Sequence, residues 1–66
     1  MSVQLYNLQP DPEWNGWRLQ KYGSTCAESV FANKAEAIRL LPEAVECGGA
    51  VSIRDANGHI EATLIF

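Results

Sequence analysis

Asn33-Lys34-Ala35-Glu36-Ala37-Ile38 follows closely on the apolar pair Val30-Phe31, and no other stretch of the 66-residue chain restricts the fold as strongly. The Asn33 side chain is placed to accept from the backbone N–H of Glu36, and Glu36 to reach back to the N–H of Asn33. Ala35, Ala37 and Ile38 then open an apolar helical stripe just after a strand-like segment. The spacing predicts a helix from Lys34 towards Cys47, with Ala37, Ile38, Leu41 and Val45 facing the core. Pro42 interrupts it, because proline donates no N–H and clashes with the carbonyl four residues back. The helix either kinks there or ends near Leu40 and restarts. The kink is favoured, since Leu41 and Val45 keep one phase. Gly48-Gly49 reads as its C-terminal cap.

Strand patterns flank this helix. Val3 to Leu8 alternates, with Val3, Leu5 and Asn7 on one face and Gln4, Tyr6 and Leu8 on the other. Pro10 and Pro12 break that run. Asn15-Gly16 is a turn, and Trp17 to Lys21 resumes strict alternation with Trp17 and Leu19 inward. Tyr22-Gly23-Ser24 turns again before a short strand over Ala27–Phe31. After the helix, Ala50–Arg54 and Ile60–Leu64 alternate around Asn57-Gly58, a two-residue hairpin signal. That loop pairs Ile53 with Ala62, Val51 with Leu64 and Arg54 with Glu61. Ile65 and Phe66 continue the last strand. The order β-β-(β)-α-β-β predicts one α+β domain over residues 1–66, a single antiparallel sheet of four to five strands with one helix on one face.

Composition narrows the function. Five basic and eight acidic residues give a net charge of −3. The basic residues Arg18, Lys21, Lys34, Arg39 and Arg54 are dispersed, which disfavours nucleic acid as a partner. No apolar run reaches the length of a membrane span, and Met1-Ser2-Val3-Gln4 is not a basic leader, so a cytoplasmic protein is expected. Cys26 and Cys47 read as buried small hydrophobes, ahead of a disulfide or a reactive thiol. A zinc site would need about four ligands, and His59 is the only other soft donor. No metal, cofactor or small-molecule substrate is expected.

Three motifs, in order, resemble the uncharacterised bacterial family known as domain of unknown function 2188. They are Gly16-Trp17-Arg18-Leu19, Phe31-Ala32-Asn33-Lys34-Ala35-Glu36-Ala37-Ile38 and Asp55-Ala56-Asn57-Gly58-His59-Ile60. Pro42 and His59 depart from the family pattern, where the helix is usually uninterrupted and a basic residue is common after the glycine. The resemblance implies a small bacterial cytoplasmic α+β protein and no particular activity.

Candidate chemistry is sparse. Asp55 beside His59 reads as a capped, solvated turn rather than an acid–base pair. Ser24-Thr25-Cys26 reads as turn chemistry, and Glu43 with Glu46 as a solvated helix face. Lys34 opposes the helix dipole and calls for an acidic partner, Glu13 or another, or an anion. Trp14 in the proline-rich bend either covers the core edge or anchors an interface. With Tyr6, Leu8 and Tyr22 it makes a candidate protein-binding patch on the sheet face that the helix leaves open. The expected role is therefore non-enzymatic: a protein-binding or accessory module, self-association included. A small regulator or inhibitor acting in trans on a host complex, of phage or mobile-element type, is the alternative.

Overall fold

The computed structural model describes residues 4–66, so the strand start expected at Val3 lies outside the described residues. Five strands and one helix run β1 (Leu5–Asp11), β2 (Gly16–Lys21), β3 (Ala27–Phe31), α1 (Lys34–Ala44), β4 (Ala50–Arg54) and β5 (Ile60–Ile65). They form one sheet of order β3-β2-β1-β4-β5. The sheet is mixed rather than antiparallel, because β1 pairs with β4 in parallel. Chain direction forces this. Two hairpins step outward from β1 to β3, and α1 then carries the chain back so that β4 runs with β3 and hence with β1.

β1 extends through Pro10 to Asp11 instead of stopping at Leu8. Leu5 O accepts from Tyr22 N at 2.8 Å and Gln4 O from Ala50 N at 3.0 Å, so odd residues of β1 bond towards β2 and even ones towards β4. Pro10 therefore lacks its N–H on the β4 side, beyond the last β1–β4 pair, Leu8 with Ile53. No ladder bond is lost there.

The core lies between α1 and one sheet face. Leu8, Leu19, Leu41 and Val51 are fully buried, with Tyr6, Phe31, Ala37, Val45 and Ile53 around them. Each of the larger side chains contributes about 1.5–3 kcal/mol by leaving water. Trp17, Leu40, Ala44 and Leu64 pack against this cluster. Ile38, expected in the stripe, is exposed. Leu40 and Ala44 take its place, because the buried arc centres on Ala37 and Leu41.

The helix is continuous from Lys34 to Ala44 with Pro42 inside it, so it neither stops at Leu40 nor reaches Cys47. Ile38 and Pro42 are both exposed, which puts the missing hydrogen bond on the water-facing side. Asn33 Oδ1 accepts from Glu36 N at 2.8 Å, as expected. The reciprocal bond shifts by one residue: Glu36 Oε2 accepts from Ala32 N at 2.8 Å. Gly49 does more than cap. Its φ is +141°, and a Cβ there would collide with the Gln4 carbonyl oxygen. Its N–H and C=O both bond Phe66, at 3.2 and 2.8 Å, extending the β4–β5 ladder.

The last hairpin corrects the two-residue loop. Only Gly58 has positive φ, Gly58 N bonds Asp55 O at 3.0 Å and Asp55 N bonds His59 O at 2.9 Å. This is a three-residue loop, Ala56-Asn57-Gly58, with glycine in the left-handed position. Arg54 consequently faces Ile60, and a bulge at Glu61 restores the expected pairs Ile53–Ala62 and Val51–Leu64. Turn and bulge offset each other, so the apolar face survives.

Candidate functional site

β5 is an edge strand, and its exposure sets it apart. Ile60, Ile65 and Phe66 are all exposed, Ile65 to 76%. Along the strand only Leu64 is even half-buried. Ile65 lies in register with Ala50, and Ala50 with the exposed Leu5, so an apolar row crosses β5, β4 and β1 on the helix-free face. The Gly49–Phe66 bonds fix which backbone groups are free. By alternation, Ala62 and Leu64 bond β4, while the N–H and C=O of Thr63 and Ile65 point outward. Among the described residues nothing pairs with that outer edge. The one charge on β5, Glu61, is displaced by the bulge and held by Lys34 Nζ at 3.2 Å. Lys34 also stands 5.8 Å from the Trp17 ring centroid. The acidic partner sought for Lys34 is thus Glu61, not Glu13.

The opposite edge, β3, is blunted. A register shift interrupts its ladder with β2, Glu28 pairs with Lys21 at 3.6 Å, and α1 packs closest to it. Charges and bulges of this kind deter strand addition.

Of the four residues expected to form a patch, two are in the core. Tyr6 and Leu8 face the helix and are buried, because the helix covers the Tyr6-Leu8 side of β1 and leaves Leu5 and Asn7 outward. Trp14 and Tyr22 are exposed but stand at opposite ends of β2, roughly 20 Å apart at about 3.3 Å per residue. The structure does not bring the four together. Trp14 neither covers the core nor stands free. Its ring lies where a Cβ on Gly16 would go, against the helix-free side of β2. Sequence reasoning missed Leu5, Ile60, Ile65 and Phe66. Their signal was present in the apolar continuation of the last strand, but only the strand order shows that it is an edge.

Elsewhere on the helix-free face the polar groups satisfy one another. Gln9 Nε2 donates to Gln20 Oε1 at 3.1 Å, and Arg54 Nε to Asn7 Oδ1 at 3.0 Å. Arg18 lies 3.9 Å from Asp11 and keeps a buried Nε with no partner. The face is therefore a polar lattice with an apolar end, not an aromatic platform.

A family model described as "Uncharacterized protein conserved in bacteria (DUF2188)" matches residues 6–66. The chain belongs to this family. No curated protein and no solved structure matches it. In this DUF2188 member the three sequence motifs sit at joints of the fold: the start of β2, the cap of α1 and the β4–β5 turn. At that turn Asp55 Oδ1 accepts from Asn57 N at 2.9 Å and His59 N at 3.0 Å. The His59 N–H is the main reason the Asp55 carboxyl is held below its ordinary pKa. The His59 ring, 3.8 Å from Asp55 Oδ2, is largely in solvent. Beside the turn lies a shallow cavity of about 270 Å³ lined by Gln9, Pro10, Pro12, Asp55, Ala56 and Gly58. Its one ionisable group, Asp55, is already engaged in the turn.

Cys26 and Cys47 are exposed free thiols, not buried hydrophobes. Each stands in a connection, one before β3 and one after α1, where the core does not reach. Cys26 N bonds Ser24 Oγ at 3.1 Å, the turn chemistry expected there. Among the described residues no three His, Cys, Asp or Glu side chains group to hold a metal ion, and no helix is long and apolar enough to cross a membrane.

Proposed function

We propose that this DUF2188 protein is a non-enzymatic protein-binding module whose binding element is the outer edge of β5. The observation that carries the reading is the combination on one strand of free backbone donors and acceptors with exposed apolar side chains. Such an edge is a template for another strand: main-chain bonds supply affinity and alternate side chains supply selectivity. This moves the interface from the face expected around Tyr6 and Leu8 to the edge beyond β4. The charged side chains that suggest chemistry are engaged structurally: Lys34 with Glu61, Arg54 with Asn7, and Asp55 with its own turn. The exposed thiols of Cys26 and Cys47 suit a reducing cytoplasm.

Thr63→Pro tests the reading, because it deletes an outward N–H and leaves the β4 ladder intact. The wild-type protein should retain partners from extract of the producing cells that the variant, checked for a cooperative melt, releases. Identical retention by both would contradict binding through the edge.

A further inference from the structure

We infer that the occupant of the β5 edge is a second copy of this chain, paired β5 to β5 antiparallel about a two-fold axis through Leu64. The inference rests on the edge reading above and names its partner. Two constraints select the pairing. Residues directly opposite must lie on the same sheet face, and the bonding residues must be those whose N–H and C=O point outward. Thr63 and Ile65 are the outward pair in β5, because Gly49 and Phe66 exchange both bonds on the inner side. Centring the axis on Leu64 sets Thr63 opposite the second copy's Ile65, and the reverse, giving four main-chain hydrogen bonds.

The side chains agree with that register. On the helix side, Leu64 meets its own copy and Ala62 meets Phe66, a small residue against a large one. On the helix-free side, Thr63 meets Ile65, which is 76% exposed. Glu61, at the bulge, lies outside the regular ladder and keeps its bond to Lys34. A register centred on Thr63 would instead set the bulged Glu61, whose side chain reaches Lys34 on the helix side, opposite Ile65 on the other face, breaking the same-face requirement. The strand thus matches itself in one register and not in the neighbouring one. The product is a ten-stranded sheet across two copies, in which the apolar row Leu5–Ala50–Ile65 of each meets the row Thr63–Ser52–Asn7 of the other. An isologous contact of this kind closes on itself and, among the described residues, leaves β3 of each copy as the remaining edge, already blunted. Five paired residues bury less than the roughly 1,600 Å² of a standard interface, so the dimer should form and dissociate with concentration.

The test is site-directed cross-linking in a background with Cys26→Ser and Cys47→Ser, alongside sedimentation of the purified protein from micromolar to millimolar concentration. At a non-bonded antiparallel pair the two Cα atoms stand about 4.5 Å apart, within disulfide range. Leu64→Cys should therefore give a linked dimer on mild oxidation, and Thr63→Cys, displaced along the strand from its copy, should not. Sedimentation should show a monomer–dimer equilibrium that Thr63→Pro abolishes. A protein that stays monomeric at every concentration overturns the inference, as does equal or preferential linking through Thr63→Cys. If the protein is monomeric and Thr63→Pro still releases partners from extract, self-pairing falls while the edge reading stands.

Discussion

At φ +141°, with the Gln4 carbonyl oxygen in the way of a Cβ and the Tyr6 ring 3.3 Å from where that Cβ would stand, Gly49 occupies a place that no other residue fits. Gly49→Ala should cost at least about 1–3 kcal/mol, read as a lower midpoint in thermal or urea unfolding. An unchanged midpoint would contradict the crowding. Nothing local in the sequence signals this. Gly48-Gly49 reads as a helix cap, and the residues that crowd Gly49 are Tyr6 of β1 and Gln4 just before it. Asp55 is the reverse case, legible from its own turn. Its carboxyl is held below the ordinary value of 3.8, chiefly by the His59 N–H. A lowered folded pKa stabilises fully above that ordinary value, and the stabilisation is lost as pH falls through the lower folded value. Asp55→Asn removes that titration. The stability difference between wild type and variant should therefore shrink as pH drops below 3.8, and a difference constant across that range would contradict the turn's electrostatics.

The elements were largely legible, and the exceptions share a cause. Asn33 marks the start of α1, and Ala27–Phe31 and Ala50–Arg54 carry enough pattern to fix their bounds. Alternation shows which residues share a face but not which face receives the helix. On β1, Leu5 and Asn7 against Tyr6 and Leu8 are too evenly matched to decide it, so the expectation that puts Tyr6 and Leu8 on the open side fails there. Pro10 reads as a break because the missing neighbour on its β4 side is a property of the sheet. Pro42 sits in α1 with its lost bond turned to water. Pro42→Ala should restore the bond to Ile38 and raise stability by up to about 3 kcal/mol, less near the helix end. A melting temperature unchanged or lowered would show that proline there serves the fold.

For the whole molecule, one helix cannot cover five strands. It packs closest to β3 and β2, and the sheet runs on past it to β5, where apolar side chains and free backbone groups coincide. The α+β class and two-layer plan follow from element order, but the parallel β1–β4 pair follows from counting chain reversals once three strands precede the helix. That pair puts β5, not β1, at the edge and moves the interface there from the face the sequence suggested. Amide hydrogen exchange of the wild-type protein at rising concentration tests edge pairing most directly. Ala62 and Leu64, bonded to β4, should be protected throughout, while Thr63 and Ile65 should exchange freely when dilute and gain protection as concentration rises. Thr63 and Ile65 amides that stay unprotected at every concentration would contradict it.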